Sequence, residues 1–393
     1  MINSFDTLGL HPALLRAVRD LHYTEPTPVQ TAAIPPALEG RDVLASAATG
    51  SGKSAAFGLP ILNALIDLPR GKTRALILAP TRELAAQIAT HLGELARHTK
   101  IRVSAVYGGV GFGKQAGAFA RGDDIIVATP GRLLDHVTQG TAKLGEVSLF
   151  VLDEGDRMLD MGFLPVVRRI AKLVSAKRQT LFFSATIPPA IAALTREMLR
   201  DPVRVNLAPT NSAVDGLTQT VYSIDQLRKT DLLVELLKDS SIGSAIAFTR
   251  TKARANRLAA ALAKHNVASE RIHGDRSQAQ RTQALDGFKR GKYRVLVATD
   301  IAARGIDIAE LGHVVNYDVP MIPEDYVHRI GRTARAKRTG DAITFVSAEE
   351  ESLFAQIERS LGKRLDRSKN PELPEFVAKQ APRLVTYTPR RRR

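Results

Sequence analysis

The chain has 393 residues, 44% of them hydrophobic and 24% charged, with a formal net charge of +16 at pH 7 and no cysteine. That length provides for two to three domains at ~150 residues each, and the composition is that of a folded protein. Disulfides, zinc fingers and thiol catalysis are excluded, no apolar run approaches the ~18 residues of a membrane span, and the first twenty residues lack a secretory pattern. The expectation is a cytoplasmic enzyme or binding protein with no membrane partner. Its positive charge favours a polyanion, nucleic acid foremost.

Short apolar runs alternate with amphipathic segments along most of the chain. After a short run at 42–46 comes Ala48-Thr49-Gly50-Ser51-Gly52-Lys53-Ser54, followed by an apolar helix. Runs at 75–80, 124–130, 149–154 and 180–186 read as buried parallel strands, with helices at 83–97 and 165–175 between them. The rhythm then restarts. Strands are predicted at 244–250, 293–300, 313–318 and 342–347, and helices at 252–265 and 278–289. A polar Pro- and Gly-containing stretch separates the halves. The reading is α/β: two tandem domains, 1–208 and 218–365, each a mostly parallel sheet with helices on both faces. A linker at 209–217 joins them, and a basic flexible tail spans 366–393. From 363 to 393 there are ten basic residues against three acidic ones.

Three groups carry chemistry. Small residues at 49–52 let backbone N–H groups turn inward onto phosphate oxygens. Lys53 adds a cation for the β and γ phosphates, and Ser54 a hydroxyl for Mg²⁺. Asp153 and Glu154 stand at the tip of a parallel strand, where open α/β sheets bind ligands. Asp153 can hold Mg²⁺ through water, and Glu154 can orient and deprotonate an attacking water. In the second half Arg329, Arg332 and Arg335 recur at three-residue spacing, which a helical turn aims at one surface, and arginine stabilises charge developing in phosphoryl transfer.

These motifs, together with Tyr23–Gln30, Pro80-Thr81-Arg82-Glu83-Leu84, Gly108-Gly109, Thr129-Pro130-Gly131-Arg132, Ser184-Ala185-Thr186, Phe248-Thr249-Arg250, Ala298-Thr299-Asp300 and His328–Arg335, resemble in content and order a DEAD-box ATP-dependent RNA helicase. The segments SFDTLGL, RALILAPTRELAAQI, DRMLDMGF and PEDYVHRIGRT are most similar to the bacterial RhlE-type branch. The resemblance implies two RecA-like domains of the P-loop NTPase class, with ATP and Mg²⁺ between them and RNA across both. Phe5 is then expected on adenine, Gln30 on its edge, Thr49, Gly50, Ser51, Gly52, Lys53 and Ser54 on phosphates, and Asp307 on ribose. Arg332 and Arg335 are implied as arginine fingers. Ser184 and Thr186 are implied to bond the 153–156 segment and, with Asp156 and His328, to link hydrolysis to RNA grip. RNA would meet Arg82, Gly109, Thr129 and Arg132 in the first domain and Arg250, Gly274 and Thr299 in the second.

Backbone contacts of this kind are sequence-independent and salt-sensitive. The implied activity is local unwinding of short duplexes or RNA remodelling coupled to RNA-stimulated ATP hydrolysis. An ATP-gated RNA clamp is the alternative, and relatives of this type point to ribosomal precursors or RNA-decay machinery as partners. Four positions depart from the family. The tetrapeptide reads Asp153-Glu154-Gly155-Asp156, with glycine for alanine, which keeps the Mg²⁺ and water-activating groups but is expected to loosen the backbone, so that ATP hydrolysis is retained at a slower rate. Ala334 replaces a glycine, Ser54 replaces threonine, and His22 stands where glycine is usual.

Overall fold

The computed structural model describes residues 4–47, 50–207, 217–300, 312–333 and 340–373. Thr49, Asp307, Arg335, Ala334, nearly all of the expected linker and the tail from residue 374 therefore lie outside the described residues. Two seven-stranded sheets, all of their pairings parallel, divide the chain. The first contains β1 (Val43–Ser46), β2 (Ala75–Leu78), β3 (Val103–Val106), β4 (Ile125–Ala128), β5 (Leu149–Leu152), β6 (Gln179–Ser184) and β7 (Val203–Asn206), in the order β3-β4-β2-β5-β6-β1-β7. The second contains β8 (Leu217–Ser223), β9 (Ala245–Phe248), β10 (Ser269–Ile272), β11 (Val295–Ala298), β12 (His313–Asn316), β13 (Gly340–Val346) and β14 (Arg367–Ser368), in the order β10-β11-β9-β12-β13-β8-β14.

Continuous apolar runs form the central strands because helices cover both faces. Alternate residues feed two separate cores. Val43, Ile77, Val127, Val151 and Phe183 belong to one, while Leu44, Leu78, Ile126, Leu152 and Phe182 belong to the other. The second sheet divides in the same way, Ala247, Val297 and Val315 against Phe248, Leu296 and Val314.

The structure alters two boundaries. Leu217 opens β8 instead of closing the linker. Arg367 and Ser368 pair with Val221 and Tyr222, so the segment read as the start of a flexible tail is an edge strand. Arg367 is held there by Glu351 at 3.0 Å and by the Phe354 ring, whose centroid lies 4.7 Å from the guanidinium carbon.

Candidate active site

The phosphate-loop segment leaves β1 and enters the helix Lys53–Leu65. Gly50 and Gly52 adopt φ of 81° and 92°, the left-handed region. A Cβ on Gly52 would lie 2.5 Å from Gln30 Nε2, so glycine serves both the turn and the close approach. Gln30 donates from Nε2 to the Gly52 carbonyl (3.1 Å) and accepts the Thr27 amide on Oε1 (2.9 Å). The buried Lys53 donates to the Ala47 carbonyl at 3.1 Å, and Ser54 follows on the first helical turn. Phe5 is buried on the same lobe. With Tyr23, whose ring centroid is 6.1 Å away, it lines a cavity of about 380 Å³ that also includes Arg19 and His22 but not Gln30.

Asp153 and Glu154 follow β5 directly and are buried. Burial pushes the Asp153 carboxyl up to about 7, against the pull of Lys53 and with the Glu154 charge adding to the rise. Burial works against Glu154 as well, but Arg157, Lys53 and Arg332 together hold its carboxyl below the ordinary value. Glu154 Oε2 lies 3.3 Å from Arg157 Nε yet makes no hydrogen bond, and neither terminal nitrogen of the buried Arg157 has a hydrogen-bond partner. Asp156 is fixed from β6 and the turn after it. Its amide donates to Ser184 Oγ (3.0 Å), and its Oδ2 accepts the Thr186 amide (2.8 Å) and hydroxyl (3.0 Å).

Gly155 is not at a loosened point of this turn. The left-handed residue is Glu154, at φ 54° and ψ 53°, while Gly155 is the first residue of the helix Gly155–Asp160 and has no positive φ. The expectation of slack at 155 is thus corrected. His22, by contrast, does occupy a glycine-like conformation, with φ 57°.

The second lobe brings His328 and Arg332 to these carboxylates. Burial and the neighbouring Arg157 lower His328 to about 3, despite Asp156 and Glu154, so its imidazole is neutral. A small cavity of about 10 Å³ between the lobes is lined by Arg157 on one side and by Asp300, Asp325, His328, Arg329 and Arg332 on the other. Arg329 and Arg332, two of the three arginines read as one helical face, are separated, and Arg335 lies outside the described residues. The helix Pro323–Ile330 ends before Arg332. Arg329 turns into its own lobe, gripping Asp300 at 2.6 and 2.8 Å and the Asp318 carbonyl at 2.7 Å.

A second cavity of about 380 Å³ gathers Arg82, Thr129 and Arg132 with Gly108, and takes Arg281 from the second lobe. Gly109 has φ 81°, and a Cβ there would meet Arg82 Nη1 at 2.2 Å. Arg132 spends Nε on the Tyr107 carbonyl (3.2 Å) and Nη2 on the Val110 carbonyl (2.5 Å), bracing the double-glycine loop. In the second lobe Arg250 Nη2 bonds Glu350 at 2.8 Å, Gly274 lies beside Lys252, and Thr299 is buried at the end of β11.

Motif reading overlooked a clasp. Glu83 accepts Gln278 Nε2 at 2.9 Å and pairs with Arg281 at 2.9 Å, joining the lobes at this groove. The only sequence signal was a polar pair three residues apart on the first turn of a helix, which does not name a partner 195 positions away. Arg157 was likewise overlooked.

Residues 27–194 match the DEAD/DEAH box helicase family model, and residues 228–337 match the helicase conserved C-terminal domain. Curated relatives include a DEAD-box ATP-dependent RNA helicase CshA from Geobacillus kaustophilus, 41% identical over 96% of this chain and 81% of that protein. Among solved structures, the DEAD-box helicase Mss116 bound to ssRNA and UDP-BeF aligns with a TM-score of 0.87 and 28% identity, over 95% of this chain and 81% of that one. Saccharomyces cerevisiae Dbp5 bound to RNA and ADP BeF3 aligns at 0.84 and 32% identity, over 92% and 94%. The chain belongs to the DEAD-box family of ATP-dependent RNA helicases. Its two sheets are the tandem RecA-like domains of that family.

Proposed function

We propose that this chain is a cytoplasmic, RNA-stimulated ATPase that grips an RNA backbone across both lobes and pries short duplexes apart locally. The observation that carries this is the convergence at Glu154: a buried carboxylate oxygen without a hydrogen bond, on the first lobe, under the influence of Arg332 from the second. Such an acid can accept a proton from water, and an arginine beside it can steady charge building on the leaving phosphates. The high TM-scores against RNA- and nucleotide-bound relatives support the closed arrangement in which these groups meet.

In this reading Gly50, Ser51, Gly52 and Lys53 cradle the phosphates of ATP, with Thr49 beside them. Gln30 reads the adenine edge, Phe5 packs near the base, and Asp307 meets the ribose. Among the described residues no cluster of three or more His, Cys, Asp or Glu could hold a metal alone. The donors present, the Asp153 carboxylate and the Ser54 hydroxyl, fit a Mg²⁺ that arrives with phosphates and keeps several waters. Bound there, Mg²⁺ supplies charge neutralisation to the β and γ oxygens. Arg332 and Arg335 act as fingers, and Asp156, Ser184, Thr186 and His328 tie the site to lobe closure. Arg82, Gly109, Thr129, Arg132, Arg250, Gly274 and Thr299 form the RNA track.

The RhlE-type affiliation rests on the SFDTLGL and PEDYVHRIGRT segments, and with it ribosomal precursors or RNA-decay machinery as partners. Steady-state ATPase with and without oligoribonucleotide tests the core. Glu154→Gln is expected to cut RNA-stimulated kcat by roughly 10²–10⁴-fold with RNA binding retained. Turnover indifferent to RNA, or to that substitution, overturns the proposal.

A further inference from the structure

The glycine at 155 has a counterpart one strand away. A Cβ built on Gly155 would stand 2.3 Å from Phe182 Cζ and 2.4 Å from Cε1, distances no real side chain tolerates. Phe182 is fully buried. It lies on β6 in register with Leu152 of β5 on one side and Leu44 of β1 on the other. Its backbone therefore sits between two neighbouring strands, and its ring cannot retreat without displacing a close-packed core. Successive side chains of a strand alternate in direction, so Phe182 and Ser184 face the same way. Ser184 holds the Asp156 amide at 3.0 Å, and the Phe182 ring abuts the Gly155 Cα. Two adjacent residues of the motif thus rest on two same-face residues of β6. Immediately before them is Glu154, at φ 54° and ψ 53°, a conformation that a non-glycine residue keeps only when its surroundings impose it.

We propose that Phe182 is a positioning residue for Glu154. Its ring occupies the volume that an alanine methyl at 155 would need, so Gly155 and Phe182 form a size-complementary pair that sets the left-handed turn carrying the carboxylate. This rests on the reading of Glu154 as the group that handles water. It also accounts for glycine at a position whose backbone does not require one.

The test compares wild type, Gly155→Ala, Phe182→Leu and the double variant in the full chain, by thermal midpoint and by RNA-stimulated kcat and KM for ATP. Gly155→Ala is expected to lower the midpoint by ~3–6 °C. It should also lower kcat about tenfold, with KM for ATP within about twofold, because displacing a catalytic group by a fraction of an ångström acts on turnover. Phe182→Leu alone should lower the midpoint by leaving a void. The double variant should recover both midpoint and kcat, since the smaller side chain makes room for the methyl. Additive losses in midpoint, or Gly155→Ala indistinguishable from wild type, overturn the pairing. Midpoints that couple while kcat stays flat overturn the positioning role. Coupled midpoints in a protein whose turnover ignores RNA leave the pairing standing and instead remove the proposed function.

Discussion

The two lobes carry a lysine at the same place in the fold and use it in opposite ways. Lys53 and Lys229 each open the helix that follows the sixth strand of its sheet, β1 in one lobe and β8 in the other. Each faces the acid that follows the fourth strand, Asp153 after β5 and Asp318 after β12. In the second lobe the charges are matched. Lys229 donates to the Tyr317 carbonyl (2.9 Å), the Phe345 carbonyl (3.2 Å) and Glu350, and Asp318 has Arg254 at 2.9 Å and the Arg250 amide at 2.8 Å. In the first lobe, among the described residues, Lys53 donates to the Ala47 carbonyl, Asp153 accepts its neighbour's amide at 3.0 Å, and Glu154 keeps an oxygen without a hydrogen bond. The same position in the sheet thus yields a lysine with three acceptors, one of them a carboxylate, in one lobe and a lysine on a single carbonyl in the other, while Asp318 Oδ1 and Glu154 Oε2 each keep an ion pair without a hydrogen bond. A buried charge with its partners in place is structure, while one left short of partners is a site.

The largest effect expected from this contrast is on stability. Lys229→Met removes the ammonium that Glu350 and Asp318 share and leaves these buried carboxylates to Arg250 and Arg254 alone, a loss of roughly 1.5–3 kcal/mol. Urea unfolding should show it as a lower midpoint with unchanged slope. A change under about 1 kcal/mol would mean that the second network is no more committed than the first.

Asp153→Asn should move stability the other way. The Asp153 carboxyl sits with a raised pKa, so near neutral pH the fold bears the cost of its charge, whereas the unfolded chain ionises it freely. An amide avoids that cost, and the nucleotide-free protein is expected to gain on the order of 1 kcal/mol while RNA-stimulated turnover is lost. Thermal melts of the two proteins without nucleotide check the sign. A melt that falls would place Asp153 with the structural charges of the second lobe.

Why some of this was readable beforehand follows from where each element lies. Strands β2, β4, β5, β9, β11 and β12 are apolar on both faces, and their runs stand out in the sequence. The strands the pattern missed lie at or next to sheet edges. Val103–Val106, Val203–Asn206, Ser269–Ile272 and Arg367–Ser368 mix polar with apolar residues because one side meets solvent. The phosphate loop and the paired acids were legible because each motif is contiguous. The Glu83 clasp and the Phe182 seat were not, since each joins positions that only the fold brings together. Gly155 shows the limit most clearly. Its identity suggested slack, yet the local backbone needs no glycine there, and a ring 27 positions later explains it.

The smallest effect concerns a turn the lobes share. His22 follows the helix Pro12–Asp20 at φ 57°, and Asn266 follows the helix Lys252–Lys264 at φ 58°. The backbone closes identically in both. The His22 amide bonds the Arg19 carbonyl at 2.9 Å and the next amide bonds that of Val18 at 3.1 Å; at Asn266 the partners are Ala263 at 3.1 Å and Leu262 at 3.0 Å. A left-handed residue costs roughly 1–2 kcal/mol for an ordinary side chain, and asparagine bears it better than histidine. Glycine removes that strain but adds ~0.4–1 kcal/mol of unfolded-state entropy. His22→Gly is therefore expected to stabilise by under ~1 kcal/mol, and Asn266→Gly to be neutral or slightly destabilising. Paired urea titrations resolve the difference. Equal shifts would show that the histidine's backbone is no more strained than the asparagine's, and that glycine at position 22 answers a need other than the turn.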